Sequence, residues 1–354
     1  MVYVCGAKVY PVGRHYDKSV VDMALEVSGP LVRECGEPEA IVFATYLSPF
    51  QEDFDNHAQL FAEYLGTDAE VYTVASGDGS GGAAISLGEK LVKAGYKRVL
   101  VVGSDKTNDF HSKHAVEQLT TLIAPYERYY GTTYSSVHAL AARLYMKRFN
   151  LSREELSQWA VVMHSNAIDV PHAQLRFPVK IEKVCSSNVI SEPLRLLDAH
   201  PFSDGAAAVM LTSESSPVEL RTASASSKLT VANRDLTFMD STYKAMKKLG
   251  VDGVDAVEVH DAFSIAGLIA LESLGLAERG KAIELLNERP KEINPSGGLK
   301  ARGHPIGATG VYQVAEGFSA ITEGLGRLGK VSSFLTHSTN LMGASTYLTY
   351  LKEV

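Results

Sequence analysis

Cysteine is scarce in this 354-residue chain, which holds Cys5, Cys35 and Cys185. Three residues so far apart do not make a disulfide scaffold or a zinc site, so free thiols and a reducing cytoplasm are the expectation. No apolar run reaches the roughly 18–20 residues of a membrane span. The opening stretch MVYVCGAKVYPVG has no basic region ahead of an apolar one, so it does not read as a signal peptide. Excess positive charge is also missing: 34 Lys and Arg face 41 Asp and Glu, a net −7, which argues against nucleic-acid binding by bulk charge. Apolar residues, in contrast, are plentiful at 45%, with 21% charged, enough to bury a sizeable core. At roughly 150 residues per domain the length suits two domains or one duplicated unit.

Apolar runs alternate with amphipathic stretches. Strands are expected at Val2–Val9, Ala40–Thr45, Ala69–Val74 and Lys97–Gly103, with helices at Ser19–Val27, His57–Leu65 and Ser80–Ala94 between them. Strands separated by helices imply a parallel α/β sheet with helices on its faces. Residues 104–190, rich in His, Tyr and Asn, break this rhythm and read as a loop or lid excursion. After the linker candidate Ser213–Pro217 the alternation returns. Strands are expected at Val218–Ala223, Ala256–His260, Lys330–Thr336 and Thr346–Leu351, and helices at Asp240–Leu249, Phe263–Leu274 and Pro305–Glu323. The expected division is residues 1–214 and 215–354. In each part a glycine-rich loop, SGDGSGGAA or ARGHPIGATG, opens a helix that leads to a strand, which suggests an internal duplication.

Several constellations could carry chemistry. Gly77, Gly79 and Gly82 satisfy G-x-G-x-x-G between a strand and a helix, and Asp105 follows the next strand where a ribose-binding acid would sit. That pattern allows an NAD-dependent oxidoreductase; close helix packing through small residues is the favoured account of it. His304 stands beside Pro305 at a helix start, where the helix dipole disfavours imidazolium and a neutral ring could donate to a developing oxyanion. His260 and Asp261 end one expected strand and His337 follows another, and catalytic groups in α/β sheets gather at strand carboxyl ends. Zinc held by His260, His304 and His337 has no supporting spacing motif, so no metal is expected.

Four of these segments together resemble the thiolase superfamily over nearly the whole chain, most nearly its archaeal and sterol-carrier-protein types. NPSGGLKARGHPIGATG is similar to the family's histidine loop, and VHDAFS to its N-E-A-F or H-D-C-F segment. LRLLDAHPFSDGAAAVML and HSNAIDVPHAQLR resemble the segment closing the first half and the loop-domain stretch. The resemblance implies two βαβαβ halves in a five-layered αβαβα core with a loop domain, assembled as dimers or tetramers. It also implies coenzyme A thioesters as substrates, acetyl-CoA acetyltransferase-like condensation chemistry in lipid metabolism, no bound cofactor, and for archaeal relatives an OB-fold/zinc-ribbon or thiolase-like protein partner. By matching position His304 would bind the thioester oxygen and activate the nucleophile, His260 would hold an oxyanion-site water, and His337 would be an acid/base. Gly303, Gly307, Thr339 and Gly343 would line the substrate.

The nucleophile departs from the family. Its cysteine falls in a segment like A-C-A-S-G-G-A-A, and the matching GDGSGGAA places Asp78 there. Neither Cys185 nor Cys5 lies where it could replace that thiol. A thiolate exchanges with a thioester at nearly equal free energy, whereas a carboxylate would form an uphill mixed anhydride. Asp78 is therefore expected to be a base or a helix N-cap, not an acyl carrier. Three readings follow: an acyl-CoA enzyme without an acyl-enzyme, doing aldol, retro-aldol or decarboxylation chemistry; a non-catalytic acyl-CoA or lipid-binding subunit; and the oxidoreductase.

Overall fold

The computed structural model describes all residues, 1–354. The first half runs β1 (Val2–Val9), α1 (Val20–Cys35), β2 (Ala40–Ala44), α2 (Ser48–Glu52), α3 (His57–Leu65), β3 (Glu70–Val74), α4 (Ser80–Lys93) and β4 (Arg98–Asp105). An excursion follows: α5 (Ser112–Thr120), α6 (Pro125–Tyr129), α7 (Tyr134–Phe149), α8 (Arg153–Ala167), α9 (Ile181–Cys185) and the hairpin β5 (Val189–Ser191)–β6 (Leu194–Arg195). The chain then returns to the sheet as β7 (Gly205–Thr212). The second half runs β8 (Val218–Ser226), α10 (Asp240–Leu249), β9 (Ala256–Glu258), α11 (Ser264–Ser273), α12 (Ala282–Glu288), α13 (Gly298–Ala301), α14 (Thr309–Thr322), β10 (Ser333–Asn340) and β11 (Ser345–Glu353).

The strands lie in the order β3-β2-β4-β7-β1-β8-β11-β10-β9. The duplication is visible in that order. The first half reads β3-β2-β4-β7-β1; the second, taken from its far edge, reads β9-β10-β11-β8, with the isolated parallel bridge Val257–Ile293 where a further edge strand would be. The sheet is mixed, not parallel as expected. β2 is parallel to β3 and β4, and β9 to β10, but β7 and β11 run antiparallel to their neighbours. The reason is connectivity: β11 follows β10 by a tight turn, and β7 re-enters from the opposite end after the excursion. β1 and β8 also pair over Val2–Val4, so the halves share hydrogen bonds.

Burial sets the layers. AIVFA of β2 and GAAAVMLT of β7 are buried throughout, as strands covered on both faces must be. Helices α4 and α14 each touch strands of both halves and form the middle layer, α1 and α3 cover one outer face and α10 the other, giving the thiolase-like αβαβα stack. Close approach in the middle comes from glycine: a β-carbon on Gly310 would fall 2.1 Å from the Gly82 nitrogen.

Cys5 and Cys35 form a disulfide with Cα atoms 6.1 Å apart, correcting the expectation of three free thiols. Thirty residues separate them in sequence, but α1 packs along β1 and returns its last turn to that strand.

Candidate active site

The loop between β3 and α4 brings a carboxylate into the interior. Asp78 lies two residues ahead of α4 and is 1% exposed. It does not cap the helix: Gly79 is the N-cap, and no side chain caps it. Asp78 Oδ2 instead accepts the Tyr134 hydroxyl at 2.7 Å, and Oδ1 accepts the Leu341 amide at 3.1 Å. Burial alone would raise this carboxyl, but nearby His260, the Tyr134 hydroxyl and the Leu341 amide outweigh it and hold it below its ordinary value. Burial, then the Asp78 charge, push the Tyr134 phenol well above its usual value, so it remains a donor.

The second half supplies imidazoles. His260 follows β9 and directs Nε2 toward Asp78 Oδ2 at 3.8 Å, while neither of its ring nitrogens has a hydrogen-bond partner. Its backbone is fixed from two sides. Asn294 brackets the preceding residue, accepting the Val259 amide at 2.6 Å and donating to its carbonyl at 3.2 Å; the His260 amide donates to His337 Nδ1 at 3.3 Å. Asp261 faces elsewhere, accepting the Trp159 indole N–H and the Leu299 amide, both at 2.7 Å. Burial pushes it up to about 6.

His304 stands edge-on to His260, ring centroids 5.1 Å apart. Its Nδ1 lies 2.6 Å from the Thr309 hydroxyl, which also has the Pro305 carbonyl within reach. With the hydroxyl hydrogen on that carbonyl, Nδ1–H donates to Thr309 and the unpartnered Nε2 is a lone pair; with it on Nδ1, Nε2 carries the proton. The first arrangement makes the ring a base, and the second is the oxyanion donor expected from the sequence. The ring is held well below its ordinary pKa, chiefly by burial and then by the charges of His200, His260 and Arg302 rather than by a helix dipole. A short 3-10 turn, Ile306–Ala308, separates it from α14.

The expected acid/base His337 sits inside β10, because that strand extends to Asn340 rather than ending at Thr336. Accepting from His260 at Nδ1 leaves Nε2–H to donate to Thr242 Oγ1 at 2.9 Å, so both nitrogens are committed. Burial lowers it to about 3. The four expected substrate contacts each touch protein neighbours, and Gly343 also lines a cavity beside Asn233, Arg234 and Phe238. Gly303 is wedged against Val12, Gln174 and Ser203, Gly307 donates its amide to Asp105, Thr339 donates to the Ser345 carbonyl, and Gly343 closes a turn against Met239.

The dinucleotide reading fails on geometry. Asp105 is fully buried and accepts amides of Tyr46, Leu47, Ser48 and Gly307, so it braces loops and cannot reach a ribose. The small residues at 77–82 are filled by neighbours: a β-carbon on Gly77 would meet Asn340, and one on Gly81 would meet the Gly310 amide.

Two residues escaped the sequence reading. Tyr134 opens α7, and His200 packs edge-on to His304 at 4.6 Å. Both belong to the stretch between β4 and β7, where the motif LRLLDAHPFSDGAAAVML covers His200 without giving it a role and no motif covers Tyr134. His200 arrives because the His304 loop is clamped to its segment: the His304 amide donates to Ser203 Oγ at 3.0 Å and His304 bridges Phe202. Donor atoms of Asp78, His260 and His304 all lie within 4.8 Å of one another, so these three could hold a divalent cation. No thiol is part of the group; Cys185 lies against Ser157 between α8 and α9.

The stacked layers, the mirrored strand order and this crevice between the halves are those of a thiolase-type protein. Family models agree: "Thiolase, N-terminal domain" matches residues 17–215 and "Thiolase C-terminal domain-like" matches 221–352, and the chain belongs to the thiolase family. It is 34% identical to the acetyl-CoA acetyltransferase of Methanothermobacter thermautotrophicus over 89% of each chain. It is 27% identical to sterol carrier protein 2 of Gallus gallus over 99% of this chain and 71% of that one. Among solved structures it shares the fold of the Ltp2-ChsH2(DUF35) aldolase, with TM-score 0.82 and 20% identity over 99% of this chain and 97% of that one. It also shares that of the Acat5 thiolase from Ascaris suum in complex with coenzyme A, with TM-score 0.73 and 19% identity over the full length of both. No helix is long and apolar enough to cross a membrane.

Proposed function

We propose that this chain acts on acyl-CoA thioesters without forming an acyl-enzyme, making or breaking the bond between the carbons α and β to the thioester by aldol or retro-aldol chemistry. One observation carries this: a buried carboxylate fills the start of α4 while two imidazoles around it keep unpartnered nitrogens. An attacking carboxylate would give an anhydride less stable than the thioester it came from. The imidazoles suit proton transfer instead.

In the cleavage direction a β-hydroxyacyl thioester gives its hydroxyl proton to His304 Nε2. The Cα–Cβ bond breaks, Cβ becomes the carbonyl of the departing aldehyde or ketone, and the electron pair enters the thioester as an enolate. His260, whose ring N–H has no other partner, donates to that enolate oxygen. The proton on His304 then returns to Cα, so atoms and charge balance with no redox partner. Asp78 offsets the transient positive charge on the imidazoles, and His337 positions His260 through its amide.

One fold neighbour is an aldolase with a DUF35 component. We extend the proposal to a dimeric assembly with a small OB-fold or zinc-ribbon partner; size exclusion and co-purification test it. A second reading, a non-catalytic acyl-CoA-binding subunit, is favoured by the hydrogen bond already held by each Asp78 oxygen. The deciding assay incubates the protein, alone and with such a partner, with 3-hydroxyacyl-CoAs and follows acetyl-CoA and carbonyl products by mass spectrometry. Turnover lost in His304→Gln supports the proposal. Binding without turnover supports the second reading, and acetoacetyl-CoA thiolysis at ordinary enzyme rates of about 1–10³ s⁻¹ contradicts both.

A further inference from the structure

Beside the site lies an apolar cavity of about 300 Å³ between the excursion and the core. Leu119, Leu196, Ala199 and Phe263 give it greasy walls, and its polar members are Ser135 and, next to the site, Tyr134 and His200. Those two residues also belong to the reacting cluster. Tyr134 holds Asp78 at 2.7 Å, and the His200 ring abuts His304 at 4.6 Å. A molecule whose β-carbon reaches His304 therefore has this cavity as the neighbouring space for whatever that carbon bears.

We infer that the cavity receives the apolar β-substituent of the acyl group, and that the substrate is a thioester with a bulky aliphatic, alicyclic or aromatic group rather than an acetyl or acetoacetyl unit. At about 30 Å³ for each water-sized group, the volume admits roughly ten carbon-sized groups. A methyl group would leave most of it unfilled and forgo about fourfold in affinity for every methylene that could have been buried. Beyond the Ser135 hydroxyl, the walls offer little to a charged or hydroxylated chain. His200 gives its Nδ1–H to the Pro201 carbonyl at 2.9 Å, so only its Nε2 lone pair is left, able to accept from one hydroxyl at the inner end.

This assignment rests on the acyl-CoA reading above, and its test is binding rather than turnover. Free coenzyme A and the saturated acetyl-, butanoyl-, hexanoyl- and octanoyl-CoA series are titrated by calorimetry against the wild-type chain and Leu196→Trp, which narrows the cavity at a half-exposed position. The expected result is affinity rising at least tenfold from acetyl to octanoyl, with that preference shrinking at least fivefold in Leu196→Trp. Equal affinity along the series overturns the inference. So does an equal loss for free coenzyme A and octanoyl-CoA in the variant, since the cavity would then hold the pantetheine arm. A chain-length preference without cleavage of any 3-hydroxyacyl-CoA leaves the cavity assignment standing and removes only the retro-aldol reading.

Discussion

The first half of the chain lays its strands as β3-β2-β4-β7-β1 and the second as β9-β10-β11-β8, and each sends one glycine-bearing helix into the shared middle layer. At the start of its helix the first half carries a carboxylate, Asp78, tied down by a tyrosine and an amide. At strand and loop ends the second half carries His260, both of whose ring nitrogens are unpartnered, and His304, whose Nε2 is unpartnered while Nδ1 is held by Thr309. A duplicated scaffold thus fixes where reacting groups stand, while single residues at those points fix what they can do. The excursion, which only the first half has, adds Tyr134 and His200 and the apolar cavity. Position comes from the repeat, and the cavity proposed for the acyl substituent comes from the part that is not repeated.

The largest effect is expected where the halves touch. Gly310→Val puts side-chain atoms into the Gly82 backbone, with the β-carbon alone at 2.1 Å from its nitrogen. Circular dichroism and size exclusion should find no folded protein, a loss above about 5 kcal/mol. Next come the two histidines that sequence reasoning treated alike. His304→Ala should lower kcat about 10²–10⁴-fold, the usual worth of a positioned acid or base. His337→Leu removes an acceptor from the buried His260 amide and a donor from Thr242, so urea unfolding should show a loss of about 1–3 kcal/mol, with a smaller fall in kcat than His304→Ala. Equal kcat losses would erase the distinction between a reacting and a positioning ring.

Acid should weaken the whole molecule. Burial holds His138, His164 and His200 at about 4 and His337 at about 3, below the ordinary value near 6.5. Between those values the unfolded chain binds more protons than the folded one. Stability is therefore lost as pH falls from about 6.5 to 4, by up to about 1.4 kcal/mol per pH unit for each ring. Asp261, raised to about 6, offsets part of this because it gains its proton earlier in the folded state. Scanning calorimetry across that range should show the melting temperature dropping steadily toward pH 4. A flat profile would mean that these rings are not buried neutral.

The apolar segments were legible because their alternation is dictated by burial: His57–Leu65 and Val2–Val9 have the bounds expected from sequence alone. His304 and His260 were legible through their motifs and Asp78 through its departure from one. The polar stretch HSTN lies beyond the strand expected at Lys330–Thr336, yet it is strand, because α14 and a neighbouring strand cover it and the His337 ring and Thr339 hydroxyl find partners inside. The G-x-G-x-x-G spacing misled because helix packing and phosphate binding both demand missing side chains. Tyr134 carries no local signal and His200 sits in a motif that gives it no role; only tertiary structure brings the excursion back over the site. The Cys5–Cys35 bond was hidden for the same reason, since proximity there depends on α1 folding back along β1.

The proposed chemistry stands or falls on Asp78 taking part without becoming acylated. Intact-protein mass spectrometry after brief mixing with acetyl- and octanoyl-CoA, with Asp78→Cys alongside, reads this out at the residue itself. No mass increase is expected on the wild-type chain under conditions where 3-hydroxyacyl-CoA is cleaved, whereas Asp78→Cys should gain an acyl adduct at residue 78. A stoichiometric acyl adduct on the wild-type chain that free coenzyme A removes would contradict the mechanism.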